Sequence, residues 1–158
     1  MKATVTWHGG QAFTGLANSG IPVQMESAIS QVGQTRGVRP MEMILMGLAG
    51  CMAMDVLSIL EKKRQTITSY QVSVDAPRSP DYPKVFTSAL IAFILSGKDV
   101  HETALLRSIE LSVTKYCAGY AILEKAFPIS VGYEIFEEDE AGNRQLTYQG
   151  FWQAAEQG

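Results

Sequence analysis

The sequence predicts an α+β protein, and three observations predict it. Strand-like alternation fills roughly the first 25 residues and recurs near 70–95 and 129–135. Between these stretches, Met41 to Lys63 is too long and too evenly apolar to be a strand. A second helical pattern follows Asp99.

Residues 2–7 alternate as Lys, Ala, Thr, Val, Thr, Trp, and Gly9-Gly10 precede a second stretch near Gln11 to Leu16. That reads as a hairpin, with a third short strand near Ile21 to Met25. Residues 27–39 carry Gly33 and Gly37 without sustained periodicity, so they form a loop, and Pro40 suits the first turn of a helix. From Met41 the apolar residues wrap nearly all the way round, which predicts a central core helix buried on most sides. Lys62-Lys63-Arg64 complement the dipole at its end.

Tyr70 to Ala76 and Val85 to Leu95 read as two strands pairing antiparallel, joined by a turn over Pro77 to Pro83. Asp99 is placed to cap a second long helix, with Glu102 three residues on, running to about Lys115. A shorter helical segment, Cys117 to Ala126, stops before Pro128. Ile129, Val131, Tyr133 and Ile135 then alternate as a closing strand. Glu137 to Glu140 with Ala141-Gly142-Asn143 reads as an acidic turn. Leu146, Tyr148, Phe151 and Trp152 make an aromatic tail, read as a hairpin, a docking arm or a frayed end.

With 158 residues and 46% apolar content, the chain can bury one substantial core, and nothing resembling a linker divides it. A single domain over 1–158 is expected. A formal charge of -3, with basic residues scattered apart from Lys62-Lys63-Arg64, provides no electrostatic footprint for nucleic acid. Residues 43–60 are apolar, but Asp55 interrupts them and small residues at 47, 49, 50 and 53 suit close helix packing rather than a membrane span. No basic-then-apolar leader opens the chain. A soluble cytoplasmic protein is expected, a compartment that disfavours a permanent disulfide.

The chain has two cysteines, Cys51 in the apolar run and Cys117 sixty-six residues later. On two separate buried helices they meet only through the fold, so they are either core packing or a redox pair. A thiol attacks as its thiolate, and a second thiol resolves the sulfenic acid before over-oxidation. Cys51 shares a mainly apolar helical stripe with Ile44, Gly47, Leu48, Met54, Asp55 and Ser58. Asp55 would oppose thiolate formation if both faced one cavity, so a backbone group or an arginine is its expected partner.

Glu42 precedes Cys51 by nine residues, about 13 Å along a continuous helix and on the opposite face. For Glu42 to touch such a thiol, the thiol must be on another chain or the helix must break. A metal site from Cys51, Cys117 and either His8 or His101 lacks any close Cys-x-x-Cys or His spacing. His8 before a Gly-Gly turn and His101 in a first helical turn have ordinary structural readings. Tyr116 and Tyr120 flank Cys117, either lining a pocket or packing in the core.

The run Pro40-Met41-Glu42-Met43-Ile44-Leu45-Met46-Gly47-Leu48-Ala49-Gly50-Cys51, then Asp55-Val56-Leu57-Ser58-Ile59-Leu60, Lys115-Tyr116-Cys117 and Leu123-Glu124-Lys125, resembles the OsmC/Ohr superfamily of thiol-dependent peroxidases. The wording Met-Glu-Met is closest to its YhfA-like branch. The resemblance covers about residues 1–136 and leaves 137–158 as a C-terminal extension. It implies an OsmC-like fold, antiparallel sheets wrapped around two long core helices, in an intertwined homodimer. It implies that Cys51 is the peroxidatic thiolate, cleaving an organic hydroperoxide to an alcohol, and that Cys117 condenses with the sulfenic acid into a disulfide. An external dithiol, lipoyl-type or a small thiol, then reduces the pair, and no metal, haem, flavin or selenium is implied.

The chain departs from the family pattern at three places. Where the Ohr branch has its activating arginine, this chain reads Trp7-His8-Gly9-Gly10-Gln11, which leaves Arg36 and Arg39 as candidates to replace it. The Ohr-type glutamate falls ten residues before its cysteine, where Met41 stands, while Glu42 has the nine-residue spacing. Ala118, not proline, follows Cys117. The alternative within the same fold is a dimeric redox-sensing or apolar-ligand-binding module without efficient catalysis.

Overall fold

The computed structural model describes residues 1–26 and 37–153, which fall into two compact units, Met1–Met46 and Gly47–Gly158. In the first unit, β1 (Ala3–Trp7), β2 (Ala12–Ala17) and β3 (Pro22–Glu26) form an antiparallel sheet in the order β1-β2-β3. Val38 donates its N–H to the Gln24 carbonyl and accepts from Glu26, which ties the chain beside β3 just before the long helix begins. That tie needs glycine at 37, because a Cβ there would stand 2.8 Å from the Gln24 carbonyl. Among the described residues of this unit none is buried.

Helix α1 (Pro40–Lys62) crosses from the first unit into the second without a break. Arg39 caps its start, Pro40 takes the first position, and the Glu42 carboxylate accepts the Arg39 N–H at 3.0 Å. This is the returning half of a capping box. At its other end Gln65 donates to the Leu60 carbonyl and Arg64 to Glu61, with Arg64 at φ 58°. The helix therefore closes with a Schellman arrangement built on an arginine rather than the usual glycine.

The second unit holds β4 (Thr66–Asp75), β5 (Ala89–Lys98), α2 (Glu102–Leu111), a π-helical turn (Ser112–Tyr116), α3 (Ala118–Leu123), β6 (Ile129–Glu138) and β7 (Arg144–Trp152). Its sheet runs β4-β5-β6-β7, and β4 pairs antiparallel with β5 as expected. The expectation of purely antiparallel sheets fails at β5 and β6, which are parallel, because the helical connection between them crosses over the sheet. Inward residues Ile91, Phe93, Leu95, Val131, Tyr133 and Ile135 meet Leu105 and Ile109 of α2 and Leu48, Met52, Val56 and Leu60 of α1.

Three other expectations change. The second helical run ends at Tyr116, close to the expected Lys115, but only Glu102–Leu111 is α-helix: Ser112–Tyr116 is a π-helical turn, and extended backbone at Cys117 ends it. Asp99 does not cap it. His101 does, while Asp99 adopts φ 53° and gives its N–H to the Glu137 carboxylate, closing the turn after β5 instead. Helix α1 is not buried on most sides, since the second unit covers only the i, i+4 row Leu48, Met52, Val56 and Leu60. Ile44, Met46 and Met54 stay exposed, Met54 to 75%. The helix is long and apolar enough to cross a membrane by length and composition, and its buried row packs into the core of the second unit. The aromatic tail is a hairpin strand, β7 on β6, turned at Asp139, which accepts from the backbone of Ala141 and Asn143.

Candidate functional site

The two cysteines meet within the second unit. The Cys51 and Cys117 sulfurs and a carboxylate oxygen of Asp55 all lie within 4.8 Å of one another. Cys51 and Asp55, four residues apart on α1, share a face by helical periodicity. Cys117 arrives by a different device. Its own N–H donates to the Ser112 carbonyl at 2.8 Å, five residues back, which closes the π-turn. Its backbone then turns extended, φ -77° and ψ 98°, and it becomes the N-cap of α3, with the thiol accepting from the Tyr120 N–H at 3.3 Å.

The pair is asymmetric. Cys51 is half-buried, whereas Cys117 is buried. Burial, a hydrogen bond with Cys51 and the negative charge of Asp55 push the Cys117 thiol up to about 12, against the lowering effect of the Tyr120 N–H. At neutral pH Cys117 is therefore a thiol.

Among the described residues, Asp55 is held by a serine rather than by the backbone group or arginine expected for it. The Ser112 hydroxyl donates to its Oδ2 at 3.1 Å. Ser112 thus anchors both arms of the cluster, through its carbonyl to Cys117 and its hydroxyl to Asp55. Nearby, Tyr70 donates its hydroxyl to the Ala53 carbonyl at 3.1 Å, and burial with the charge of Asp55 holds that phenol well above its usual range. Gly119 closes over the thiols: a Cβ there would stand 3.6 Å from Cys51 Cβ and 3.8 Å from each sulfur.

The remaining sequence candidates have other surroundings. Arg39 and Glu42 lie in the first unit and pair with each other, Nε to Oε1 at 3.9 Å, with both side chains about half exposed. Arg36 lies outside the described residues. His8 donates its N–H to Ala12 in the β1–β2 turn, and His101 caps α2, so neither joins the thiol cluster. Tyr120 is core packing that lends its N–H to Cys117, while Tyr116 is exposed beneath the Lys115 ammonium. Sequence reasoning missed Ser112, Gly119 and the Tyr120 N–H. The only signal for Ser112 was a serine five residues before a cysteine, and that is too common to be read. A separate open groove on the sheet, lined by Leu90, Gly132, Tyr133, Gln149 and Phe151 among others, shares no lining residue with the thiols.

Fold and site together define an α+β protein with a partly buried thiol backed by a fully buried one. The model of the OsmC family, OsmC-like protein, matches residues 33–132, and the chain belongs to this family. It is 37% identical over 135 residues to Protein YhfA of Escherichia coli K12, covering 85% of this chain and 98% of that protein. Among solved structures it is similar to an OsmC-like protein from Mycoplasma pneumoniae, with TM-score 0.72, 16% identity, and coverage of 85% of this chain and 95% of the other. It is also similar to the organic hydroperoxide resistance protein OhrB of Bacillus subtilis, with TM-score 0.58, 13% identity, and coverage of 84% and 98%. These two distant likenesses speak for the fold.

Proposed function

We propose that the chain is a cysteine-based peroxidase that reduces organic hydroperoxides. Cys51, the more accessible sulfur, attacks the terminal peroxide oxygen as its thiolate. The O–O bond breaks, the alkoxide takes a proton and leaves as the alcohol, and Cys51 becomes a sulfenic acid. The Cys117 sulfur then attacks Cys51, water leaves with the sulfenic oxygen, and a disulfide forms. An external dithiol, lipoyl-type or small, supplies the two electrons and two protons that restore both thiols. The observation that carries this reading is the half-buried Cys51 within 4.8 Å of a buried Cys117.

In the same proposal the chain is one cytoplasmic domain that works as a homodimer. Its support is the apolar side of α1, with Ile44, Met46 and Met54 exposed on a helix otherwise built for a core. Helix α1 is unbroken between Glu42 and Cys51, so a glutamate acting on a thiol acts on another chain's. Arg39, steadied by Glu42, and Arg36 are the candidate activating cations, supplied in that way. Anaerobic turnover of cumene hydroperoxide with dihydrolipoamide is expected, with Cys51→Ser reducing it to background and Cys117→Ser stopping it after one sulfenic acid per chain. Lack of turnover across a range of hydroperoxides and dithiols would sink the proposal.

One observation favours a second reading, a redox-sensing or apolar-ligand-binding module. The charged side chain set against the thiols is the Asp55 carboxylate, within 4.8 Å of both sulfurs, and its charge disfavours a thiolate at Cys117. In that case hydroperoxide still oxidises the pair, but at a rate no faster than free cysteine, which stopped-flow kinetics distinguishes.

A further inference from the structure

Sequence spacing provided no metal site, yet the fold builds a donor set that spacing could not display. Two sulfurs and one carboxylate, from residues 51, 55 and 117, converge within 4.8 Å. A zinc ion with sulfur ligands at about 2.3 Å and a carboxylate oxygen at about 2.0–2.2 Å separates its donors by roughly 3.5–3.8 Å in a tetrahedron. The observed cluster needs only a small contraction to reach that spacing. We infer that reduced Cys51 and Cys117, with Asp55, form a three-ligand site for a zinc-type divalent cation, with its fourth position open on the Cys51 side.

Four features support this assignment. The donors are two soft sulfurs and one oxygen, a set that selects zinc over magnesium or calcium, which take oxygen alone. Asp55 is held in place by the Ser112 hydroxyl on Oδ2, the outer hydrogen bond that orients a ligating carboxylate. Both cysteines are free, so the two sulfurs and the Asp55 carboxylate are available together as donors from residues that converge on one point. Cys51 is half-buried, which leaves an approach for the ion and room for a water or small ligand in the fourth position. Neither histidine belongs to the group, so the donor set differs from the combination of Cys51, Cys117 and a histidine for which the sequence held no supporting spacing.

Metal binding and peroxide reduction use the same sulfurs but are tested separately. The full chain, purified without a His-tag and reduced under anaerobic conditions, is titrated with Co2+ and then with Zn2+, with no peroxide present. One Co2+ per chain is expected, with near-ultraviolet thiolate-to-metal charge-transfer absorption that Zn2+ abolishes. Cys51→Ser and Cys117→Ser should each remove most of that absorption. Asp55→Asn should weaken Zn2+ at least tenfold in competition with a chromophoric chelator, and Ser112→Ala about 10- to 100-fold. In wild-type protein Zn2+ should shield both cysteines from iodoacetamide, a readout that needs no variant. Absence of the charge-transfer band, unshielded cysteines, or unchanged Zn2+ affinity in folded Asp55→Asn would each overturn the site. A protein that turns over hydroperoxide without binding Co2+ refutes this inference alone; one that binds Co2+ without turnover refutes only the peroxidase.

Discussion

The two units differ in what they bury. Gly47–Gly158 encloses a core from four strands and three helical segments, and both thiols belong to it. Met1–Met46 contains three strands and the first turns of α1, yet none of its described residues is buried, and Val5, Trp7, Leu16 and Ile21 stand exposed. A three-stranded sheet with no interior of its own lacks the apolar burial that stabilises an independent fold. The contrast teaches that the thiol pair and the core coincide in the second unit, while the first offers exposed apolar surface.

The largest expected effect tests how well the second unit seals its interior. Cys117 is held at about 12 against an ordinary 9.0, so near pH 8 its thiolate fraction is about a thousandfold below that of an unperturbed cysteine. Alkylation with iodoacetamide at pH 8 should label Cys51 first and Cys117 essentially only after unfolding, as peptide mass spectrometry reads. The sign for stability follows from the raised value: this contribution is complete below pH 9 and is lost as pH rises toward and past 12. Equal labelling of the two cysteines in native protein would erase the asymmetry on which their roles rest.

Next comes the core itself. Phe93 is fully buried against both helices and sheet, and Phe93→Ala should cost about 3–5 kcal/mol. In a chain of this size each kcal/mol lowers Tm by roughly 2–4 °C. Val5→Ala in the first unit, at a residue 59% exposed, should cost under about 0.5 kcal/mol. Thermal melts at several protein concentrations sharpen the comparison. A cost for Val5→Ala above about 1.5 kcal/mol that grows with protein concentration would mean that a second copy covers the first unit's sheet.

What was legible in the sequence depended on local pattern. The hairpins at Gly9-Gly10, the helix entered at Pro40 and the alternation Ile129, Val131, Tyr133, Ile135 all matched observed elements, since turn chemistry and periodicity are local. Parallel pairing of β5 with β6 was not legible, because nothing in either strand records its partner's direction. Asp99 looked like a cap by residue type, but its N–H is claimed by Glu137, thirty-eight residues away. The exposed side of α1 was misread for a related reason: composition shows that a helix wants cover on every side, not which chain provides it. At the thiol pair, Cys51 and Cys117 stood out as the chain's two cysteines and took their proposed roles from family resemblance, while Asp55's partner Ser112 depends on a π-turn that no spacing rule announces.

Tyr133 provides an intermediate test inside the second unit. Its hydroxyl donates to Glu102 Oε1 at 2.6 Å, linking β6 to the first turn of α2. That bond to a carboxylate, with burial, raises the phenol to about 12. Tyr133→Phe should cost about 1.5 kcal/mol at neutral pH. Because the folded value is raised, the wild-type advantage is complete below pH 10 and should shrink as pH climbs toward and past 12. Urea melts of both proteins across that range measure it, and an advantage that instead grows with pH would refute the bond's role.

A small expected effect returns to the first unit and decides what Glu42 is for. Its carboxylate accepts the Arg39 N–H at the start of α1, and its contact with the Arg39 side chain is long and solvent-exposed. As a capping group favoured by the helix dipole, Glu42 should contribute about 0.3–1 kcal/mol, and the exposed ion pair adds little. Glu42→Gln keeps an acceptor for the Arg39 N–H, so it should retain most of that stability, whereas Glu42→Ala should lose it. Turnover separates the roles further. If Glu42 only caps the helix, both variants reduce hydroperoxide at the wild-type rate once folded. If it steadies Arg39 against another chain's Cys51, both slow turnover tenfold or more, and Glu42→Gln does so with its melting temperature nearly intact, a split that helix capping cannot produce.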